Sequence, residues 1–302
     1  MDQKKRVIAL GFFDGVHKGH GALLRKVRDT ATALNATAAA FTFDPHPQSV
    51  IFDKPVCLLT SPDDRADLMH RYYGIEDVIV TPFTPERMRQ GWRDFVTETL
   101  VKELGAIHLV AGHDYHFGYK GEGNPKRLRG LTAELGIGLD VIEAVSQDEI
   151  TISSTYIRTL IAQGEIERAN AFLGHPYTLS DTVSHGKKLG RSIGFPTVNL
   201  RLKPNVLPPA LGVYATRVWL SNGESHIAVT NVGKRPTVDS DQKINVEGFI
   251  LDYNGDLYGQ HIRMEFFHYI RPEQKFPSLE ALSAEVMRNA QQTRDYFSEN
   301  PV

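Results

Sequence analysis

The chain has 302 residues, more than a single hydrophobic core usually holds, so we expect two domains. A formal net charge of -2 provides no basic field for a nucleic-acid backbone, and the lone Cys57 excludes an internal disulfide and a cysteine-based zinc cluster. No apolar run approaches the roughly 18 residues that span a bilayer, and the first residues do not resemble a signal peptide. The composition predicts a cytoplasmic protein without nucleic-acid or membrane partners.

The first half of the chain alternates apolar runs with helix-like segments. The predicted strands are Val7–Phe13, Ala38–Phe43, Asp77–Thr81, Ile107–Ala111 and Leu139–Ile142, and the predicted helices are His20–Leu34, Pro62–Tyr73, Trp92–Leu104 and Pro125–Leu135. Strands and helices in alternation indicate an α/β domain, with a parallel sheet covered by helices on its faces. Ligands of such sheets bind beyond the carboxyl ends of the strands.

The pattern changes in the second half. Ser153–Leu173 has helical periodicity and a Ser-Ser-Thr start that can cap a helix. Beyond it, near-alternating segments recur at Thr178–Ser184, Gly212–Leu220, Ser225–Val232, Asn245–Tyr253 and His261–Tyr269. The dipeptide Asn254-Gly255 predicts a hairpin between the last two segments. We therefore expect a small antiparallel barrel, followed by a helix over Leu279–Phe297, and a domain boundary that gives domains 1–177 and 178–302.

The most informative segment is Gly11–His20 (GFFDGVHKGH), which follows a predicted strand and opens a predicted helix. Free N–H groups and the helix dipole attract phosphate at such a place. His17 and His20 face the same way on a first helical turn, so both can donate to phosphate oxygens. Gly15 and Gly19 allow a nucleotide to approach the backbone closely. Two exposed histidines without a ligand are the weaker interpretation here.

The string FDGVHKGH resembles the FMN adenylyltransferase domain of bacterial bifunctional riboflavin kinase/FAD synthetases, which belong to the nucleotidyltransferase superfamily. Thr42–Pro47 (TFDPHP), Gly112–Gly118 (GHDYHFG) and Ile152–Arg158 (ISSTYIR) resemble further segments of that family in the same order. The resemblance implies a Rossmann-like fold and catalytic roles for His17, His20 and Arg158. It also implies contacts to ATP and FMN from Gly11, Phe13, Asp14, Gly15, His46, Asp114, Ser154 and Thr155.

Several of these residues have a plainer interpretation when they are taken alone. Ser154 and Thr155 at a helix start can present donors to phosphate, and Arg158 can make a bidentate phosphate contact. Taken alone, however, the Ser-Ser-Thr run is better explained as a simple helix cap. His46, held between two prolines, can form a ligand wall or an ordinary turn.

The segment Gly186–Gly194 (GKKLGRSIG) carries three glycines and three cations in nine residues, a composition that fits a flap over polyphosphate. A basic surface turn is the alternative. The next segment, Phe195–Leu200 (FPTVNL), favours the flap because it resembles the P-T-A-N signature of riboflavin kinases, with Val198 in place of Ala. The hydroxyl of Thr197 and the amide of Asn199 offer oxygen ligands that suit Mg²⁺.

Four later segments resemble riboflavin kinases in order: Gly212–Tyr214, Asn231–Thr237, Val246–Gly259 and Ile270–Phe276. The resemblance implies a six-stranded antiparallel β-barrel with a C-terminal helix, with Glu247 as the general base. It implies that Thr197 and Asn199 ligate Mg²⁺ and that ATP or flavin contacts Gly186, Lys187, Gly190, Arg191, Gly194, Pro196, Thr197, Asn199, Asn231 and Arg271. The sequence departs from the family's pattern at three positions: Phe249 replaces the usual His, Glu285 the usual Gln and Asn289 the usual Asp.

Together the resemblances predict a bifunctional enzyme of FAD biosynthesis. It would phosphorylate riboflavin to FMN with ATP and then adenylylate FMN to FAD with release of pyrophosphate, with small molecules as partners and a homo-oligomer left open. Two alternatives are an FAD synthetase whose kinase domain is degenerate and a non-catalytic flavin-sensing module. The presence of Thr197, Asn199 and Glu247 argues against the first, and the lack of a basic face argues against an RNA-binding form of the second.

Overall fold

The computed structural model describes residues 4–184, 195, 197–235 and 243–301. Within them the chain divides into two compact units, Met1–Ser154 and Thr155–Val302. None of the helices in this described part is both long and apolar enough to cross a membrane.

The first unit alternates strands and helices, as the sequence predicts. Its strands are β1 (Arg6–Leu10), β2 (Thr37–Asp44), β3 (Asp77–Pro82), β4 (Ala106–Gly112), β5 (Gly138–Ile142) and the short pair β6 (Ser146–Gln147) and β7 (Ile150–Thr151). Its helices are α1 (Lys18–Leu34), α2 (Pro47–Ile51), α3 (Pro62–Tyr73), α4 (Pro85–Met88), α5 (Trp92–Asp94), which continues as a π-helix over Phe95–Glu103, and α6 (Pro125–Leu135).

The five long strands form a parallel sheet in the order β3-β2-β1-β4-β5. Alternate residues of β1 face opposite sides, so Val7 packs in the cluster that contains α1 and α3 residues, whereas Ile8 packs in the cluster with Phe95 and Leu128. The strand order reverses direction at β1, between β2 and β4. In an open α/β sheet this switch point is where ligands bind, outside the carboxyl ends of the strands.

The second unit begins with two helices and continues as an antiparallel sheet. Its elements are α7 (Ser154–Gln163, which starts at the unit boundary), α8 (Ile166–Leu173), β8 (Tyr177–Thr182), β9 (Thr197–Leu200), β10 (Gly212–Trp219), β11 (Ser225–Arg235), β12 (Lys243–Ile250), β13 (His261–Arg271) and α9 (Leu279–Glu299). Side-chain contacts join the helices to this sheet, since Asn170 of α8 donates to the Phe266 carbonyl at 2.8 Å and accepts from the Tyr177 N–H at 2.7 Å.

The six strands are ordered β8-β13-β10-β11-β12-β9, which confirms the predicted six-stranded antiparallel architecture as a curled, half-barrel sheet. One additional bridge joins Ser184, just after β8, to Asn199 of β9 and brings the two edge strands together. Buried Val229 and Leu251 pack with Ala290 of α9, so this helix covers one face of the sheet.

Three local predictions differ from the structure. The prediction of a hairpin at Asn254-Gly255 is wrong. Strand β12 pairs with β11 and β9, whereas β13 pairs with β10 and β8. The dipeptide therefore lies in a loop between two strands that are not neighbours in the sheet. The first strand ends at Leu10 because Phe13 adopts a left-handed φ of 60° and a 3-10 turn follows. The helical segment 153–173 is two helices, since Gly164 has a φ of 82°.

Candidate active sites

The turn after β1 is built to place two histidines at the start of α1. Gly15, with a φ of 75°, occupies a conformation that side chains rarely adopt, and it allows the chain to turn within Asp14–Val16. His17 then caps α1, because its Nδ1 accepts a hydrogen bond from the His20 backbone N–H at 3.3 Å. An Nδ1 that accepts leaves the ring proton on Nε2 in the neutral form, so this tautomer can donate away from the helix.

His17 and His20 lie against each other as the sequence predicts. Their rings stack with centroids 3.6 Å apart and an angle of 13° between planes, and Phe13 packs its edge against His20 at 5.3 Å. Burial, followed by the nearby His17 and Arg65, lowers the pKa of His20 well below its ordinary value. The Nδ1 of His20 is buried without a hydrogen-bond partner among the described residues. A neutral imidazole with a buried nitrogen that lacks a hydrogen-bond partner in the described part of the chain therefore lies at this helix start.

Asp14 and Ser154, both predicted to contact nucleotide or flavin, make hydrogen bonds that hold this turn. The buried Asp14 carboxylate accepts from the Leu59 N–H at 2.8 Å and the Thr60 N–H at 3.2 Å. The Ser154 hydroxyl donates to the Asp14 carbonyl at 2.9 Å, and the Gly15 N–H donates to the Thr60 hydroxyl at 3.1 Å. The structure thus gives Asp14 and Ser154 a role in fixing the turn.

Arg65 was missed by the sequence reasoning. It lies on α3 and is fully buried, and it donates to the carbonyls of Phe12 at 2.7 Å and Phe43 at 3.2 Å, just beyond β1 and at the end of β2. Its guanidinium also lies 4.2 Å from the Phe12 ring centre. Burial lowers the pKa of Arg65 to about 10, against the raising effect of Asp14 and Asp44. A sequence signal existed: Arg65 occupies the same buried face of α3 as Leu68 and Met69.

Three of the remaining predicted residues follow strand ends of the parallel sheet, namely Gly11, His46 and Asp114, whereas Thr155 and Arg158 lie on α7. His46 caps α2 after β2 and packs edge-on against Phe12 at 4.2 Å. Asp114 is exposed after β4, and a side chain at Gly11 would meet the Phe13 ring at 2.9 Å. On α7, Arg158 donates to the Thr155 hydroxyl at 3.2 Å.

In the second unit the structure brings four predicted kinase residues into one row. Asn199 of β9 pairs with Glu247 of β12, Glu247 with Asn231 of β11, Asn231 with Val213 of β10, and Val213 with Arg271 of β13. Residues directly opposite in antiparallel strands share one face, about 5 Å apart. Thr197 lies two residues before Asn199 and therefore on the same face.

Asn245, which was not predicted, lies next to the centre of this row. It is two residues before Glu247 on β12, so the two side chains share a face. Its Nδ2 donates to Glu247 Oε1 at 2.5 Å and approaches Asn199 Oδ1 at 3.4 Å. Asn199 itself is buried, with 6% of its surface exposed.

Helix α9 holds the other end of the row. Arg271 Nε donates to Asn289 Oδ1 at 3.2 Å and lies 3.3 Å from Glu285 Oε1. Asn289 Nδ2 in turn donates to Glu285 Oε1 at 3.2 Å. The two departures from the family pattern on α9 are thus in direct contact with a predicted binding residue.

Six predicted binding residues lie outside the described part of the chain. They are Gly186, Lys187, Gly190, Arg191, Gly194 and Pro196.

Comparison with known proteins agrees with the functions predicted for the two halves of the chain. The FAD synthetase family matches residues 1–156 and the riboflavin kinase family matches residues 173–297. A bifunctional riboflavin kinase/FMN adenylyltransferase of Listeria monocytogenes is 39% identical over 97% of this chain and 93% of its own length. The one from Bacillus subtilis is 34% identical over 98% of this chain and 94% of its own length.

A solved structure described as a macrolide-efflux protein from Streptococcus pneumoniae shares the whole fold. It has a TM-score of 0.84 and 29% identity, and it covers 97% of this chain and 95% of that chain. The FAD synthetase match covers the parallel sheet, and the riboflavin kinase match covers the curled antiparallel sheet. Together they define a transferase that acts on flavins. The chain belongs to the bifunctional riboflavin kinase/FMN adenylyltransferase family, and it is an enzyme that makes FMN from riboflavin and FAD from FMN, with ATP as the second substrate.

Proposed function

We propose that the kinase reaction takes place on the row of Asn199, Glu247, Asn231 and Arg271. The observation that carries this proposal is the strand register, which aligns residues from four different strands. The row covers four strand spacings from Asn199 to Arg271, about 19 Å, which leaves room for phosphates at one end and a flavin ring toward α9.

Glu247 acts as the general base in this proposal. Its carboxylate takes the proton of the riboflavin 5′-hydroxyl as that oxygen attacks the γ-phosphorus of ATP. The new O–P bond forms as the bond to the β,γ-bridging oxygen breaks, and ADP leaves. Positioning and charge neutralisation supply most of the rate in such transfers.

The residues beside Glu247 fit a Mg²⁺ ion. Thr197 and Asn199 present a hydroxyl and an amide oxygen from the same face of β9, and Mg²⁺ commonly takes one or two protein oxygens together with waters and substrate phosphates. When bound, the ion would neutralise charge on the transferred phosphate. The segment 186–194 and Pro196 complete the ATP site in this proposal, on the strength of their composition and the family resemblance.

For the second reaction we propose the turn after β1. A phosphate oxygen of FMN attacks the α-phosphorus of ATP, and the bond to pyrophosphate breaks. His17 and His20 donate to the α-phosphate as charge develops, with Arg158 as a further cationic contact. Support comes from the stacked pair at a helix start and from the unsatisfied His20 Nδ1. In this proposal the nucleotide and flavin sites around it are lined by Gly11, Phe13, Asp14, Gly15, His46, Asp114, Ser154 and Thr155.

The two reactions then use separate ATP sites in domains 1–177 and 178–302. The small-molecule substrates are the only partners that this account requires, and we expect the enzyme to act in the cytoplasm without nucleic acid or membrane.

Glu247→Gln tests the proposal. Glutamine keeps the size of the side chain and can still accept from Asn245, but it cannot take a proton. We expect the kinase kcat to fall by about 10²–10⁴-fold while riboflavin binding changes little. FMN supplied directly should be converted to FAD at the normal rate. A variant whose kinase kcat stays within a few-fold of the parent protein would remove Glu247 from the chemistry.

A further inference from the structure

One amide group in the kinase site touches two residues with different proposed tasks. Asn245 Nδ2 donates to Glu247 Oε1 at 2.5 Å, and the same nitrogen lies 3.4 Å from Asn199 Oδ1 on the neighbouring strand. An amide nitrogen carries two N–H bonds that diverge, so it can serve two acceptors at once. Asn245 is therefore placed to link the two residues across the β12–β9 pair.

The link has a chemical consequence for each residue. A glutamate side chain has several rotatable bonds, and a donor on one carboxylate oxygen selects one of its rotamers and fixes where the other oxygen points. An amide oxygen that accepts a hydrogen bond keeps a second lone pair, so Asn199 can still serve as a ligand while its plane is held. Partners of this kind around a metal ligand commonly change affinity or activity by about 10–100-fold.

We propose that Asn245 is a positioning residue of the kinase site, which orients the carboxylate of Glu247 and the amide of Asn199 through one side chain. The inference rests on the proposed roles of those two residues. In this assignment Asn245 contacts the carboxylate of the base and not the substrate, so it acts through Glu247 and Asn199.

Few other charged groups surround this position among the described residues. Gly233 of β11 is the strand partner of Asn245, and a side chain there would overlap Glu273 Oε1, so the Glu273 carboxylate lies beside the row. Farther along the row is Arg271, which pairs with Glu285 of α9. A new charge at position 245 would therefore act on Glu247 first, because these are the atoms at hydrogen-bond distance.

Asn245→Asp tests the inference, since it keeps the shape of the side chain but replaces the donor with a second carboxylate. Two carboxylates in contact do not both ionise readily, so one of the pair keeps its proton to higher pH. The acid limb of the kinase kcat/KM for riboflavin should move up by about one pH unit or more. Without any substrate or metal, ¹³C NMR of the carboxyl groups should show one midpoint at higher pH in this variant, and that midpoint should be absent when Glu247→Gln is added.

The matched control is Asn254→Asp, which makes the same chemical change at an exposed loop residue of the same unit. It should leave both the acid limb and the ¹³C midpoint where they are in the parent protein. An Asn245→Asp protein whose acid limb and midpoint coincide with this control would overturn the inference. The general-base role of Glu247 would still be tested separately by Glu247→Gln. Failure of the positioning role and failure of the general-base role can therefore be distinguished.

If Asn245→Asp does not fold, Asn245→Ala gives the second measurement. Loss of the linking amide should lower kinase kcat by about tenfold and leave the affinity for riboflavin, measured by quenching of flavin fluorescence, within about twofold. An Asn245→Ala protein with unchanged kcat would overturn the proposal, and so would one that loses only flavin affinity.

Discussion

Replacing the buried Arg65 with methionine should destabilise the first unit and slow FAD formation together. The guanidinium bridges the carbonyls of Phe12 and Phe43, and methionine fills a similar volume without any donor. Both carbonyls would then lose their charged donor at the edge of the sheet where the turn to His17 begins, and the Phe12 carbonyl would keep only the hydrogen bond from the Thr42 hydroxyl at 2.8 Å. The perturbation therefore links the packing of α3 directly to the geometry of the catalytic turn.

The size of the effect follows from opposing contributions. Two hydrogen bonds from a charged donor contribute about 1.5–3 kcal/mol each, and the contact with the Phe12 ring adds about 1–2 kcal/mol. Against this, the fall in the pKa of Arg65 from 12.5 to about 10 corresponds to about 3 kcal/mol by which burial, net of the opposing effect of Asp14 and Asp44, disfavours the charged form. The net expected loss is about 3 kcal/mol, which is in the range found when one member of a buried polar pair is removed.

Urea denaturation can isolate this loss because the two tryptophans lie in different units, Trp92 in the first and Trp219 in the second. In a Trp219→Phe background, the fluorescence of Trp92 reports the first unit alone. For a urea m-value of about 2 kcal/mol/M, the midpoint should fall by about 1.5 M. The control Arg28→Met removes an exposed ion pair with Asp29 and should change stability by less than about 1 kcal/mol. If Arg65→Met unfolds at the same urea concentration as this control and makes FAD normally, the bridging role is wrong.

Two further predictions concern single positions in each unit. Gly233→Ala should lower kinase kcat/KM by about tenfold, because its methyl group would overlap Glu273 Oε1 and lie 2.9 Å from Asn231 Nδ2, while conversion of FMN to FAD serves as the unaffected control. The first unit should lose stability as the pH falls below about 6.5, because the unfolded chain takes up a proton on His20 that the folded chain resists. His20→Gln should flatten that dependence in urea titrations between pH 7 and pH 5, and an unchanged slope would show that other groups cause it.

Most of the fold was predictable because its elements have strong periodic patterns. The helices over residues 62–73 and 125–135 were predicted with the bounds that the structure has, since a proline opens each and a glycine follows each. The order of the strands in the second sheet was not predictable in this way. The Asn254-Gly255 dipeptide predicted a local hairpin, but β12 pairs with β11 and β9, whereas β13 pairs with β10 and β8. Pairing between distant strands is decided by packing of whole faces, which a dipeptide does not encode.

In the candidate sites, too, individual residues could be predicted from the sequence, whereas their arrangement in space could not. The predicted residues Asn199, Glu247, Asn231 and Arg271 came from motif resemblance, and only the register revealed that they form one row. Arg65 and Asn245 were missed because each acts through hydrogen bonds to residues distant in sequence or on another strand. Their signals were faint: a charged residue on the buried face of α3, and an asparagine two residues before a proposed base.

The central claim, that one chain holds two independent active sites, is tested most directly by mixing two variants. His20→Ala should convert riboflavin to FMN and stop there, since loss of a transition-state donor costs about 10²-fold or more. Glu247→Gln should leave riboflavin unchanged but convert added FMN to FAD. The measurement is chromatography of flavins after the two proteins are incubated together with riboflavin, ATP and Mg²⁺. The account predicts that the mixture makes FAD although neither protein alone does. A mixture in which riboflavin never reaches FAD, with both proteins folded, would contradict it.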